Sequence, residues 1–119
     1  YNLSMILISH DLGVIAEVAE TVAVMYAGKI VETGPVMDVF YNVRHPYTQG
    51  LLRSVPRLGS SVEKKERLDV IEGTVPNLLR MPDGCSFAPR CSRRTAECTS
   101  APIPLEPVSE KQEVRCIHA

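Results

Sequence analysis

Four cysteines carry the densest chemistry in this chain. They fall at Cys85, Cys91, Cys98 and Cys116, with five, six and seventeen residues between successive members. Three donors lie close together and a fourth arrives from further along. Such a set can close a four-thiolate site around a tetrahedral metal or an iron–sulfur cluster. Zinc sites favour two-residue knuckles, so the wider spacing suits a cluster better than a single zinc. Two disulfides, or four free thiols, are the other readings the spacing leaves open. Arg90, Arg93, Arg94 and Arg115 flank the cysteines in sequence, and cationic neighbours favour thiolate over thiol.

Three histidines follow. His10 ends the apolar run Met5–Ser9 and precedes a helical pattern. That position, beyond a strand and before a helix N-terminus, favours phosphate; a helix-capping or core-edge histidine is the plainer reading. His45 precedes Pro46, which presses it into an extended conformation; it reads as a loop residue ahead of a helix. His118 lies two residues past Cys116 and reads as a tail residue, with a fourth thiol already filling the set. No GxxxxGK[ST] loop and no GxGxxG is present, and no apolar strand ends in an acidic pair able to hold Mg²⁺. Nucleotide hydrolysis needs those parts.

The elements that must position these residues are short. Met5–Ser9 reads as a buried strand. Ser9 and Asp11 are candidate N-caps, and Leu12, Ile15, Ala16 and Ala19 then recur at helical spacing. Thr21–Tyr26 and Lys29–Thr33 read as a hairpin about a turn at Ala27-Gly28-Lys29. Pro35 suits the first turn of a helix through Tyr41. A further helix starts at Pro46, with Tyr47, Leu51, Leu52 and Val55 as its apolar face, and Pro56 stops it. Arg57–Arg67 is polar and reads as a linker, and Leu68–Gly73 as a short strand. Beyond Pro76 repeated prolines exclude long regular elements, so the cysteines are the expected source of stability there. A domain boundary is expected within 57–67.

The 119 residues suffice for one ordinary domain or two small ones. A net charge of −1 gives no bulk electrostatic case for nucleic acid. No secretory signal opens the chain and no apolar stretch is long enough to cross a bilayer. A reducing compartment, where clustered cysteines bind metal, is therefore expected. The start at Tyr1 without a methionine suggests a piece of a longer protein.

"SMILISHDLGVIAEVAETVAVMYAGKIVETG" resembles the histidine-switch region of ABC-transporter ATP-binding subunits. "RHPYTQGLLRSVP" is similar to the segment that marks the oligopeptide/dipeptide importer branch. "GCSFAPRCSRRTAECTSAPIPLEPVSEKQEVRCIHA" is similar to that branch's C-terminal extension. The resemblance implies an α/β fold: residues 1–56 as the end of the ATPase core with its helical continuation, and 57–119 as the irregular cysteine-rich extension. It implies that His10 contacts the γ-phosphate of ATP in the full subunit, and that Cys85, Cys91, Cys98 and Cys116 bind a [4Fe–4S] cluster, with zinc as the alternative. It further implies ATP and Mg²⁺ as cofactors of the full-length subunit, a second ATP-binding subunit and membrane permeases as partners, and an indirect link to a peptide-binding protein. The expected location is the cytoplasmic face of the membrane. This chain alone is expected to be inactive and to self-associate through Met5–Ser9. The competing reading is a stand-alone four-cysteine module for interaction or redox sensing.

Overall fold

The structure, a computed structural model, describes residues 2–55 and 70–119. The expected linker, the start of the Leu68–Gly73 strand and the Pro56 stop lie outside the described residues. Among those described, Val70–Gly73 forms no strand.

Helix α1 spans Leu12–Val18. It starts where it does because the Asp11 carboxylate accepts from the Gly13 N–H at 2.9 Å and the Val14 N–H at 3.2 Å, filling two donors no earlier carbonyl can reach. Ser9 Oγ accepts from the Asp11 N–H at 3.0 Å, bracing the cap. Of the apolar face, only Ile15 is buried.

Strands β1 (Thr21–Tyr26) and β2 (Lys29–Pro35) make the antiparallel hairpin. Its two-residue loop needs positive φ at both positions, and Ala27 (φ 47°) and Gly28 (φ 78°) supply it. The register shifts between Val24 and Met25. That bulge turns two successive residues of β2, Val31 and Glu32, inward.

Helices α2 (Val36–Tyr41) and α3 (Pro46–Arg53) follow. Pro46 opens α3 at a position whose N–H would have no helical partner. Beyond residue 70 the regular pieces are a 3₁₀ turn (Ala88–Arg90), helix α4 (Glu97–Ser100) and strands β3 (Glu106–Pro107) and β4 (Glu113–Val114). The sheet order is β1-β2-β4-β3, every pair antiparallel. Thus β2 near the start and β4 near the end share one sheet.

The core joins both halves. Val24, Tyr26, Val31, Val39 and Phe87 are buried together, with Tyr47, Leu51 and Ile71 packed against them. Three rings meet at centroid distances of 4.7 Å (Tyr26–Tyr47), 5.2 Å (Tyr26–Phe87) and 5.5 Å (Tyr47–Phe87). Arg90 ties this cluster to the chain around residue 71, donating to the Ile71 and Glu72 carbonyls at 2.8 and 2.9 Å and to the Tyr26 hydroxyl at 3.3 Å.

The expected strand Met5–Ser9 is corrected. Residues 2–9 adopt no regular structure, and Ile6 and Ile8 are each 93% exposed. An apolar run favours a strand only where a neighbouring edge offers hydrogen bonds, and no described segment of this chain pairs with it. The described strands form an antiparallel sheet that does not include Met5–Ser9. No helix among the described residues is long and apolar enough to cross a membrane.

Candidate functional site

The four cysteines, scattered over 32 positions of irregular chain, line one cavity. Its wall also holds His45, Phe87, Ala88, Ile103 and His118. All four thiols are free, so the disulfide reading is not what the structure holds.

Each cysteine is set by its local turn. The Cys85 N–H donates to the Cys98 carbonyl at 2.7 Å, bringing the first and third members side by side. Gly84 permits that approach, because a Cβ there would strike the Cys98 carbonyl oxygen and lie 2.7 Å from Thr99 Cα. The 3₁₀ turn then carries the chain from Cys85 to Cys91, with the Ala88 N–H donating to the Cys85 carbonyl at 3.1 Å and the Cys91 N–H to the Ala88 carbonyl at 3.2 Å. Cys98 sits in α4, and Cys116 lies two residues past the end of β4.

The sulfurs face donors. The Phe87 and Ala88 N–H groups act to lower the pKa of the Cys85 thiol. Cys98 Sγ accepts from the Thr95 N–H at 3.4 Å, and Cys116 Sγ from the His118 N–H at 3.4 Å. Such donors favour the thiolate. Burial acts the other way and is larger. It pushes the Cys85 thiol above its ordinary range, with the backbone donors offsetting part of this and the nearby Cys91 and Cys98 adding to it. The Cys116 thiol is likewise raised by burial, with the His118 N–H and Arg93 opposing and Cys85 and Cys91 adding. A cationic partner bound beside Cys85 and Cys116 would remove this conflict, since metal binding takes the deprotonated ligands.

The flanking arginines divide. Arg93 is the one whose charge reaches a cysteine, and it donates to the His118 carbonyl at 2.6 Å. Arg90 is turned to the core. Arg115 donates to the Ile30 and Ile103 carbonyls, both at 2.8 Å. Arg94 is exposed. Arg93 therefore lies beside the cysteines, while Arg90 and Arg115 hold backbone. Among the described residues no group of three or more His, Cys, Asp or Glu is placed to hold a metal ion, so this geometry favours neither iron nor zinc.

His10 is exposed, immediately before the Asp11 cap, and does not line the cysteine cavity. His45, read from sequence as a loop residue, is 1% exposed and part of the cavity wall. His118, read as a tail residue, has Nε2 at 3.1 Å from Thr95 Oγ1 and 3.6 Å from Cys98 Sγ.

Sequence reasoning missed Glu32 and Gln112 altogether. Glu32 is fully buried. Its Oε1 accepts from the Arg44 N–H and from Gln112 Nε2, both at 2.8 Å, and its Oε2 from the His45 N–H at 3.1 Å. Gln112 also donates to the Asn42 carbonyl at 3.0 Å. One carboxylate thus fixes the α2–α3 connection, the entry to α3 and the turn before β4, and so sets where His45 meets the cysteines. An acid beside a buried valine is the only local signal for it.

Residues 31–98 match the family model described as "Oligopeptide/dipeptide transporter, C-terminal region". The chain belongs to that family. The match begins at Val31, beside the buried Glu32, and ends on Cys98 of the cavity, so it takes in His45 and three of the four cysteines. Relatives extend the likeness. A Brucella ovis protein named for peptide import and ATP binding is 54% identical over 98% of this chain and 35% of its own length. The oligopeptide transport ATP-binding protein OppD of Salmonella typhimurium is 51% identical over 92% of this chain and 31% of its own. The dipeptide transport ATP-binding protein DppD of Bacillus subtilis is 54% identical over 82% and 28%. The chain spans about a third of the length of the curated relatives it matches.

Proposed function

We propose that this chain is the C-terminal part of the ATP-binding subunit of an ABC importer that couples ATP hydrolysis to uptake of oligopeptides or dipeptides. The observation that carries this is the identity above 50% to proteins named for peptide import and ATP binding, held across nearly the whole chain. The same observation disfavours the stand-alone cysteine module. In the full subunit His10 would contact the γ-phosphate of ATP bound with Mg²⁺. A second ATP-binding subunit and membrane permeases would be its partners at the cytoplasmic face, with a peptide-binding protein upstream.

The chain by itself carries no phosphate loop, so it is expected to hydrolyse no ATP. Phosphate release from the purified chain tests this; turnover that survives removal of contaminating ATPases refutes it. Met5–Ser9 would serve as an intermolecular strand, since Leu3, Met5, Ile6 and Ile8 lie open. Light scattering that finds a monomer at all concentrations would end that reading.

For the cysteines, the proposal is a [4Fe–4S] cluster held by Cys85, Cys91, Cys98 and Cys116. The support is the chemistry of the donor set: four free thiols on one cavity wall, backbone N–H groups on two of the sulfurs, and Arg93 alongside. A four-iron cube spreads its thiolates wider than one ion does. Bound there, it would supply a one-electron redox centre or simply a cross-link through loops too short of apolar residues to hold themselves. Anaerobic reconstitution with iron and sulfide should give a brown protein with about four irons per chain; a colourless chain with one zinc would refute the cluster. An in-frame phosphate loop upstream in the coding sequence tests the importer assignment independently.

A further inference from the structure

The cavity wall holds two histidines, and they are engaged differently. His118 already has Thr95 Oγ1 and Cys98 Sγ at its Nε2. His45 uses only Nδ1, which accepts the Tyr47 N–H at 3.1 Å. A neutral imidazole that accepts at Nδ1 carries its proton on Nε2. Among the described residues that Nε2–H has no hydrogen-bond acceptor. The residue is also firmly placed. Glu32 takes its backbone N–H, Pro46 fixes the following turn, and Phe87 lies against it at 5.9 Å between ring centroids. The ring shares its cavity wall with all four cysteines, the groups that a donor there could meet.

We infer that His45 donates its Nε2–H to a thiolate or sulfide sulfur of the four-cysteine site, acting as a positioning residue that sets the reduction potential of the group bound there. This rests on the cluster reading above. Because Nδ1 accepts a backbone N–H, the ring is the neutral tautomer, and the donor adds a dipole without adding a charge. Hydrogen bonds to cluster sulfurs help set the potential. A donor stabilises the more negative, reduced form the more, and so raises it.

The test uses the full chain, reconstituted anaerobically with ferrous iron and sulfide, as wild type, His45→Leu and His45→Gln. Mediated redox titration followed by electron paramagnetic resonance gives each midpoint. His45→Leu should lower the reduced-to-oxidised ratio at fixed ambient potential about tenfold, a shift of about 59 mV for one electron. His45→Gln, which keeps an amide N–H, should recover part of it. A second measurement labels the histidines with ¹⁵N: the reduced cluster should couple magnetically to an exchangeable histidine N–H in wild type and in His118→Gln. Normal loading with an unmoved midpoint and no coupled N–H overturns the role of His45 alone. Failure of the wild type to take up iron overturns the cluster reading itself, and leaves this donor without its acceptor.

Discussion

Replacing Glu32 by leucine tests the organisation of the molecule most directly. The substitution keeps side-chain bulk but removes an acceptor for three N–H groups. The Arg44 N–H lies on an exposed residue and can turn to water. The His45 N–H is buried, and Gln112 keeps its bond to the Asn42 carbonyl but loses one of two partners. An unsatisfied buried donor costs about 1–3 kcal/mol, and each bond to a charged acceptor contributes about 1.5–3 kcal/mol. Two such losses, less a little regained by burying leucine, come to about 4 kcal/mol. That is a large part of the about 5–15 kcal/mol of an ordinary domain. With a urea dependence of about 2 kcal/mol per molar, the unfolding midpoint should fall by about 2 M. The chain has no Trp, so tyrosine fluorescence from the Tyr26–Tyr47 pair and far-ultraviolet circular dichroism are the probes. Glu32→Gln should cost about half as much, since one acceptor survives. In a double-mutant cycle with Gln112→Leu, the two single losses should sum to more than the double loss. A cost below about 1 kcal/mol for Glu32→Leu would show that the carboxylate does not hold these segments together.

Three further outcomes follow from particular contacts. With the His45 pKa at about 4 in the fold against 6.5 unfolded, the unfolded chain takes the proton first as pH falls. Stability should therefore be complete above pH 6.5 and decline toward pH 4, by at most about 3 kcal/mol; His45→Gln should flatten the slope between pH 5 and 6.5, and an unchanged slope would contradict the burial argument. Gly84→Ala should separate Cys85 from Cys98 by forcing back the α4 backbone, costing about 2 kcal/mol and slowing iron retention after reconstitution; wild-type retention would show that the approach is not needed. Thr48 is buried with no partner for its hydroxyl among the described residues, so Thr48→Val should raise stability by about 1 kcal/mol, and a loss of that size in thermal melts would mean that the hydroxyl has an acceptor.

The parts legible in sequence are those governed by local rules. The hairpin follows from its turn, α1 from the Asp11 cap, and α2 and α3 from prolines at their starts. The Met5–Ser9 strand failed because pairing is not local: alternation cannot say whether an edge is there to receive it. Glu32 was invisible for a related reason. A period-two reading that buries Val31 turns Glu32 outward, and only the bulge at Val24/Met25 brings both inside. Its donors lie 12, 13 and 80 residues away. The cysteines were legible as a set by type and spacing, but their shared wall with His45 depends on Glu32 and Phe87, which no cysteine pattern records.

The bond from Gln112 to Glu32 also sets a schedule for synthesis. At about 5–20 residues per second, a ribosome makes Glu32 several seconds before the glutamine that satisfies it. Through that interval the Arg44 and His45 N–H groups can already bond the carboxylate, but Oε1 lacks its second donor and keeps water there only if the hairpin stays open, so β2 should close last although it is made early. Nascent chains arrested before and after residue 112 and challenged with protease at the hairpin would show it: protection that arrives only after the later arrest supports this order, and protection at the earlier one rules it out.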